Sequence, residues 1–579
     1  MKKMIKPFHW HISGLLFLCI LAFGFNIDQN DFWKWQEDRR PEISREMVAS
    51  GDWLIPRLNG MIFTTKPPLY YWSVAASFCL SGKFDEMSAR VPSLLSAIGG
   101  VLITYCWANA LLSARIGLLA GIMLTTTFLY VLMARMAQID MLLTMFTTAS
   151  LACFSVGMHK RKTGWYYLGY VCAGLGALTK NPIGVVIPFL AVLGFILVTR
   201  QFRLIREMKP CWGGIIVLLI VLPWYIAVYQ RYPEVLEVVW TETVGRYVDP
   251  ENTPRLEPFY YYLPVLFTFA PWILFLPGAV MRVVRDHAQK VSLFLLIAAM
   301  GIFLLFSSVG SKKSYYLLPM APVLAMLSAT VWDDYLTRPF SELSCWRRRL
   351  MTGAIFFSLS ALCLVGTLLP VASFIYLPQQ AIVSTGVGIV LCCLGVSLFL
   401  TFRRGMPWMV FGLYVTAVLI LYLFTVKIII PPLNAYASHK PFFQETARIV
   451  GDQKIVAYKY TGADAHFYMQ RVFPNFEDVK IFEQIGSEKG TVFVIIHGNH
   501  YDKLQREQPH LMKHLQIVFE YVMVDRFQPG KSKRLLLLQT KSAEDKGHVF
   551  QTSQLAIQVE AEVSPPRPVQ LVWKNSLLS

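Results

Sequence analysis

The polar interval 28–90 holds residue types that perform acid–base and phosphate chemistry, placed among tryptophans and tyrosines. Glu37 and Asp38 are adjacent carboxylates, which can supply a general base or electrostatic help at a reacting centre. Lys66 stands directly before two prolines and an apolar run, so it is predicted to lie just ahead of a helix over 67–80. An ammonium group beside the positive end of that helix dipole would form an anion site. The interval is therefore a candidate active site.

Each of these residues also has a purely structural interpretation. Lys66 can be a lysine at a helix start that extends its ammonium group to the membrane surface. Glu37 and Asp38 can cap a helix or form salt bridges with the arginines that follow them. Those arginines are Arg39, Arg40 and Arg45.

Four residues further along the chain extend the candidate site. Asp140 opens a hydrophobic block, either as a helix N-cap or as a second site carboxylate that faces the first loop. Lys180 and Arg246 fall in gaps predicted to face outward, where the positive-inside rule expects few cations, and Tyr316 lies at the outer end of the block 315–333. Ionisable groups near membrane depth are costly, and a lipid-linked phosphate would explain these cations. Contact with ordinary anionic headgroups is the alternative.

The elements that must position these residues are membrane spans. The chain has 579 residues, of which 55% are hydrophobic and 16% charged, whereas a soluble protein carries about a quarter charged residues. Its hydrophobic blocks have the length of bilayer spans, and we predict about thirteen transmembrane helices. The blocks are 8–27, 89–111, 115–133, 140–157, 165–178, 182–199, 211–230, 259–281, 291–308, 315–333, 350–371, 380–402 and 408–430.

The placement of basic residues predicts the orientation of these spans. Lys and Arg clusters lie in alternate gaps, as the positive-inside rule requires of cytoplasmic loops. The N-terminus is then cytoplasmic, the first helix is an uncleaved span, and the loop 28–88 lies outside with interfacial helices. An odd number of spans places the C-terminal region outside as well. In a bacterial inner membrane, outside is the periplasm.

The chain divides into two domains on this interpretation. A transmembrane domain covers 1–430, and a soluble α/β domain with a polar tail covers 431–579. The predicted strands of that second domain are 454–458, 491–496 and 535–538, and the predicted helices are 442–450 and 501–515. The fold class is therefore an α-helical polytopic membrane protein with a C-terminal α/β domain.

Several function classes are excluded or disfavoured. The net charge of +18 does not indicate nucleic-acid binding, because the basic clusters lie beside hydrophobic blocks. The ten cysteines show no metal-ligand spacing, and no Gly-rich phosphate loop or Asp-x-Asp motif is present. We therefore predict that the protein needs no nucleotide and no other cofactor, and the sequence does not demand a metal.

A succession of motifs resembles the GT-C glycosyltransferases, most closely the aminoarabinose lipid A transferases and the dolichyl-phosphate-mannose–protein mannosyltransferase-like proteins. The resemblance covers roughly residues 8–430. Its motifs are Glu-Ile-Ser-Arg-Glu-Met-Val-Ala-Ser-Gly-Asp-Trp (42–53), Pro-Arg-Leu-Asn-Gly (56–60), Lys-Pro-Pro-Leu-Tyr-Tyr-Trp (66–72), Arg-Val-Pro-Ser (90–93), Gly-Ala-Leu-Thr-Lys-Asn-Pro (176–182), Pro-Trp-Tyr (223–225) and Ser-Lys-Lys-Ser-Tyr-Tyr-Leu-Leu-Pro (311–319).

The resemblance implies a fold of about thirteen spans with a C-terminal domain outside the membrane. It implies that Lys66, Arg246 and Tyr316 hold a carrier phosphate, and that Asp140 and Lys180 match an aspartate and a lysine of the outward loops. The sequence departs from the family at three positions. Gln36 stands where the family has its first-loop Asp, Thr65 where the aminoarabinose branch has Glu, and Thr241 where that branch has His.

These observations predict an inverting sugar transferase. It would move a monosaccharide from an undecaprenyl-phosphate carrier to lipid A, a glycan or a protein in the periplasm. Glu37 or Asp38 would replace the family Asp as the base for a hydroxyl acceptor, whereas a phosphate acceptor would need none. The alternatives are a transporter or flippase for lipid-linked sugar, and an assembly protein whose enzymatic core is lost.

Overall fold

Two compact units make up the chain in a computed structural model, which describes residues 2–33, 37–245, 261–285, 289–309, 312–487, 490–524 and 532–540. The first unit comprises Met1–Pro441 and Gly462–Val472, and the second comprises Phe442–Thr461 and Phe473–Ser579. The first is helical apart from one short hairpin, and the second contains a five-stranded sheet.

Nine helices in the described part of the first unit are long and apolar enough to cross a membrane. They are Phe8–Gln29, Glu86–Leu111, Ile139–Lys160, Pro210–Arg231, Lys290–Ser307, Ser314–Thr337, Cys345–Tyr376, Pro378–Arg403 and Pro407–Ala437. Two further segments are pairs of helices bent by 66° and 103°: Ala114–Thr125 with Phe128–Ala134, and Tyr262–Phe269 with Trp272–Arg285. The chain is thus a multi-pass membrane protein with nine to eleven candidate spans.

The prediction of about thirteen spans exceeds this count by two. The extra two are the helices Thr163–Lys180 and Ile183–Thr199, which are both formed. Thr163–Lys180 has 18 residues but is less apolar than the others, and Ile183–Thr199 is apolar but has 17 residues. A helix of that second length is about 26 Å long, slightly less than the hydrocarbon core of a bilayer. The bent pairs arise from blocks that the sequence presented as continuous.

A tight helical hairpin joins these two shorter helices. Asn181 adopts a positive φ of 45° between them, and Pro182 starts the second helix. A Cβ atom added at Gly184 would lie 2.2 Å from the carbonyl carbon of Gly176, so the two helices cross with their backbones in contact. The hairpin therefore presents Lys180, the last residue of its first helix, at a fixed point.

The first loop is mostly helical. It contains the helix Arg39–Ser50, a two-stranded hairpin of Arg57–Leu58 and Met61–Ile62, and the helix Leu69–Ser81. The last helix begins two residues later than predicted, after Pro68. Lys66 thus stands ahead of the helix, with both prolines between them.

The remaining described helices of the first unit are short. They are Arg203–Met208, Val235–Trp240, the π-turn Thr241–Gly245 and, from the C-terminal region, Ala463–Met469.

The second unit is a mixed α/β fold. Its strands lie in the order Asn475–Phe476, Lys454–Tyr458, Val492–His497, Ser532–Thr540, Leu515–Val524. The first three are parallel to one another, and Ser532–Thr540 runs antiparallel to both of its neighbours. Its helices are Lys440–Val450, Ile481–Ser487, Gly498–Glu507 and Pro509–Met512. The predicted strands are confirmed to within a few residues. The predicted helix 501–515 is wrong at its end, because Pro509 starts a new helical turn and Leu515 begins a strand that the sequence analysis missed.

Candidate active site

Glu37 ties together three parts of the first unit. Its Oε1 accepts hydrogen bonds from Nε of Arg90 at 2.8 Å and from the backbone N–H of Ala137 at 2.9 Å. Its Oε2 accepts one from Nη2 of Arg90 at 3.2 Å. Both charged residues are buried, at 2% and 1% exposure. The partner of Glu37 is thus Arg90, rather than one of the nearby arginines that the structural interpretation proposed.

Arg90 also fixes the start of the first loop. Its guanidinium donates to the carbonyl oxygens of Ile27 at 2.8 Å, Asn30 at 2.6 Å and Asp31 at 3.3 Å. Five hydrogen bonds saturate this buried cation, as burial of a charge requires. The pair therefore connects the loop start, the helix Glu86–Leu111 and the turn that precedes Asp140.

Asp140 lies in the first turn of the helix Ile139–Lys160, and Gln138, not Asp140, occupies the N-cap position. Its Oδ1 is 2.6 Å from Nζ of Lys180. The same ammonium group stands 4.3 Å from the ring centre of Tyr316, a cation–π contact. The structure thus brings three of the site residues chosen from the sequence into one cluster. Asp140 is 3% exposed, so this pair is screened little by solvent.

Lys66 forms the second ion pair of the candidate site. Its Nζ lies 2.5 Å from Oε2 of Glu242, and both side chains are partly accessible, at 17% and 18% exposure. Glu242 belongs to the π-turn Thr241–Gly245. No local sequence pattern identifies Glu242 as the partner of Lys66, because the two residues are 176 positions apart.

Two consecutive tyrosines lie close to both ion pairs. Burial raises the pKa of Tyr71 to about 12, Arg40 opposes the rise and Glu242 adds to it. Burial likewise raises the pKa of Tyr70, on which Arg40, Glu37 and Asp140 also act. Tyr70 exchanges a hydrogen bond with Ser93 at 2.9 Å. The helix that follows Lys66 therefore places its buried first turn among the charges of Asp140, Glu37 and Glu242.

Asp38 lies beside the helix Ala463–Met469. Burial and the nearby charge of Asp464 raise its pKa, although the backbone N–H of Asp464 donates to it. Asp464 in turn accepts from Nδ1 of His439 at 3.0 Å. The carboxylate pair of the sequence is thus split between two environments. Glu37 is saturated by an arginine, and Asp38 is shifted toward the protonated form.

A further buried histidine stands beside this second environment. Burial lowers the pKa of His466 to about 4, and the charge of Arg45 contributes. The folded state keeps this histidine neutral, whereas the unfolded chain binds a proton at it below about pH 6.5. The folded protein therefore loses stability as the pH falls below that value. The resulting contribution is present at neutral pH and is lost as the pH falls toward 4.

We therefore expect His466→Gln to remove about 2 kcal/mol of acid sensitivity between pH 7 and pH 5. The measurement is thermal unfolding of the detergent-solubilised chain at both pH values. Exposed His510, replaced in the same way, serves as the control and should leave the pH dependence intact. Equal slopes for wild type and His466→Gln would contradict a neutral buried histidine.

Two residues chosen from the sequence lie outside the described residues: Arg246, assigned to the carrier phosphate, and Gln36, where the family has its Asp. No group of three His, Cys, Asp or Glu side chains that could hold a metal occurs among the described residues. The described part of the candidate site therefore consists of ion pairs and tyrosines.

Comparison with known proteins supports the sequence resemblance. Residues 65–226 match the family model of the dolichyl-phosphate-mannose-protein mannosyltransferases. The chain is 32% identical over 337 residues to the undecaprenyl phosphate-α-4-amino-4-deoxy-L-arabinose arabinosyl transferase of Edwardsiella ictaluri, covering 56% of this chain and 60% of that protein. The enzyme of the same name from Serratia proteamaculans is 28% identical over 333 residues, covering 56% and 59%. The match thus spans about 60% of the length of these relatives.

The fold has a solved counterpart. The crystal structure of ArnT from Cupriavidus metallidurans bound to undecaprenyl phosphate aligns with a TM-score of 0.72 at 21% identity, covering 92% of this chain and 98% of that one. The apo form of the same protein aligns with a TM-score of 0.72 at 20% identity, covering 93% and 98%. The predicted fold class and the resemblance to this group of membrane glycosyltransferases are both confirmed.

Proposed function

We propose that the protein is an integral membrane glycosyltransferase that takes a monosaccharide from an undecaprenyl-phosphate carrier. The observation that carries this proposal is the presence of two ion pairs, Lys66 with Glu242 and Lys180 with Asp140. Three of these four residues, all except Glu242, lie in the region 65–226 that matches the family model. Each of these lysines is held beside a carboxylate near the membrane. Its ammonium group can therefore bind a phosphate in place of that carboxylate. The names of the relatives support the choice of carrier.

The transfer itself makes few demands on the protein. The bond between sugar C1 and the carrier phosphate oxygen breaks, and an acceptor oxygen bonds to C1 from the opposite face, which inverts the configuration. Negative charge grows on the departing phosphate. Preorganised cations in a water-poor site stabilise that charge, and orientation of the acceptor supplies much of the rest. Lys66, Arg246 and Tyr316 would bind the phosphate, and Lys180 would hold Asp140 toward the acceptor.

The acceptor is lipid A, a glycan or a protein on the outer face. For a hydroxyl acceptor we assign the proton to a site carboxylate, and Asp38 suits this role better than Glu37. All the described interactions of Glu37 keep it as the anionic partner of Arg90, whereas the raised pKa of Asp38 lies nearer the operating pH of a general base.

The test of this function is transfer of a labelled sugar from a synthetic polyprenyl-phosphate carrier by the purified chain in detergent. An enzyme releases free carrier phosphate and labels the acceptor, in equal amounts. A transporter moves the intact carrier lipid across vesicles and leaves the sugar–phosphate bond unbroken, which would refute the proposal.

Lys66→Ala should weaken carrier binding by about tenfold or more, since loss of a charge-assisted contact costs about 1.5–3 kcal/mol. Glu242→Gln is the matched variant with the opposite expectation. It removes the carboxylate that competes with phosphate for Lys66, so carrier affinity should be retained or rise. Affinities are measured by titration with the carrier lipid. Unchanged affinity in Lys66→Ala would instead mean that this lysine only extends its ammonium group to the membrane surface.

The orientation of the site is part of the proposal. We place the N-terminus in the cytoplasm and the first loop and second unit in the periplasm. A reporter that is active only in the periplasm should work when fused after Pro441 and fail when fused near Arg161 or Arg348. Activity at Arg161 would reverse the orientation and move the site to the cytoplasmic face.

A further inference from the structure

A cavity that opens to the protein surface lies among the helices Leu276–Arg285, Ala321–Thr337 and Cys345–Tyr376. Its apolar lining includes Leu274, Phe275, Leu350 and Met351. It is also lined by Arg282, Asp334, Trp346 and Arg347. All three helices belong to the first unit, and their arginines lie in gaps predicted to be cytoplasmic.

Asp334 gathers the arginines at one end of the cavity. Its Oδ2 is 2.9 Å from Nη1 of Arg282 and 3.1 Å from Nη1 of Arg347, and its Oδ1 is 3.9 Å from Nε of Arg338. One carboxylate thus faces three guanidinium groups. Arg161 and Arg203 also share a carboxylate, that of Glu207, but their side chains are 62% and 84% exposed, whereas those of Arg282 and Arg347 are 17% and 28% exposed. The cluster at Asp334 instead concentrates uncompensated positive charge.

The cluster also has an unused donor. Nε of Arg282 is buried and makes no hydrogen bond to any described residue, although the Arg282 side chain lines the cavity. A buried guanidinium N–H without an acceptor is costly, which indicates that an acceptor is missing from the protein itself. Nη1 of the same side chain is satisfied by Asp334 and by the carbonyl oxygen of Thr330 at 2.7 Å.

Trp346 completes the rim of the cavity. Its ring is stacked by the guanidinium of Arg285 at 5.1 Å and by that of Arg347 at 5.3 Å. Tryptophan with arginine is typical of the headgroup level of a membrane. Met281, Val284 and Leu350 expose their side chains beside these arginines, at 39%, 53% and 38%. In a bilayer these apolar groups would meet acyl chains.

We infer that this cavity binds the phosphodiester headgroup of an anionic phospholipid. The phosphate oxygens would accept from Arg282 and Arg285 and compensate the excess charge that Asp334 leaves. The start of an acyl chain would lie against the apolar wall. A basic pocket between transmembrane helices with an apolar floor suits such a lipid better than a soluble anion, which would leave the floor exposed to water. The inference is independent of the proposed transferase activity.

The test measures lipid bound to the full-length chain by native mass spectrometry, with phosphatidylglycerol and phosphatidylcholine as the two probes. Wild type should prefer phosphatidylglycerol by about tenfold or more. Arg285→Gln leaves the Asp334 cluster intact, and Arg282→Lys keeps its charge beside Asp334 but lacks the Nε donor. Each variant should lose about fivefold of the preference, and the double variant should bind both lipids alike.

Arg403→Gln is the matched control. Arg403 also stacks on an aromatic ring, Phe399 at 6.0 Å, in a gap predicted to be cytoplasmic, but it does not line the cavity. It should keep the full preference, and unchanged elution on gel filtration verifies that each variant is folded. Equal binding of both lipids to wild type would overturn the assignment, as would an equal loss in Arg403→Gln. Displacement of the lipid by inorganic phosphate alone would show a simple anion site instead.

Discussion

Asp140→Asn should lower the rate of sugar transfer by about 100-fold or more, because it removes the carboxylate that Lys180 holds toward the acceptor, and a small misplacement of a reacting group costs about that much. The Asp140 carboxylate is 3% exposed and pairs with Lys180 at 2.6 Å. An amide cannot neutralise the ammonium group of Lys180. Lys180 would then lose the anchor that holds it over the ring of Tyr316.

The measurement is single-turnover transfer from a saturating carrier lipid, which separates chemistry from carrier binding. Asp333→Asn is the matched control, because it also removes a carboxylate from an ion pair, with Arg115 at 2.5 Å, at the predicted cytoplasmic ends of two spans. It should leave transfer unchanged. If Asp140 and Lys180 act as a unit, Lys180→Ala should add little to the loss already caused by Asp140→Asn. Full additivity would assign them separate roles.

The sequence predicted the membrane-spanning architecture well, because the signals behind it are local. Each hydrophobic block coincides with a helix or a bent pair of helices, and the strands 454–458 and 491–496 are close to those observed. The thirteen predicted blocks exceed the nine to eleven candidate spans because the blocks 165–178 and 182–199 form the helices Thr163–Lys180 and Ile183–Thr199, which are outside that count. Hydropathy also does not register a bend. The 66° bend after Thr125 and the 103° bend after Phe269 occur inside continuous apolar runs.

The candidate site was predicted residue by residue but not pair by pair. Asp140, Lys180 and Tyr316 were each chosen for unusual charge or aromatic character, and they meet in one cluster. Their partners could not be read from a single sequence, because an ion pair such as Lys66 with Glu242 joins residues 176 positions apart. Only the tertiary fold decides which of several outward carboxylates reaches a given cation.

Arg90 shows what the sequence analysis missed and why. It was quoted only as part of an Arg-Val-Pro-Ser motif, at the start of a long apolar helix. A cation inside the predicted span 89–111 is itself a signal, since such residues are rare and mark a partner or a function. That rule would have singled out Arg90 as a buried partner for one of the first-loop carboxylates, although not for Glu37 in particular.

The adjacent carboxylates Glu37 and Asp38 should respond to substitution in opposite ways. Glu37→Gln leaves Arg90 buried with one neutral partner, and breaking a buried ion pair typically costs about 3–5 kcal/mol. The main effect should therefore be a lower unfolding temperature. Asp38→Asn leaves that pair intact, so the chain should stay folded and lose about 100-fold in transfer to a hydroxyl acceptor.

A double variant separates the two roles of Glu37. Glu37→Gln combined with Arg90→Met removes the uncompensated charge as well as the pair, so stability should recover in part, while the carbonyl oxygens of Ile27 and Asn30 still lose their donor. Total transfer activity should then follow the fraction of folded molecules if Glu37 only positions the turn before Asp140 through Ala137. A 100-fold loss in Glu37→Gln molecules that unfold at the wild-type temperature would instead make Glu37 the base.

If Glu37→Gln, Asp38→Asn and Asp140→Asn all transfer at near wild-type rates, no carboxylate takes a proton. The acceptor would then be a phosphate, which is already ionised and needs only to be oriented beside C1 of the sugar.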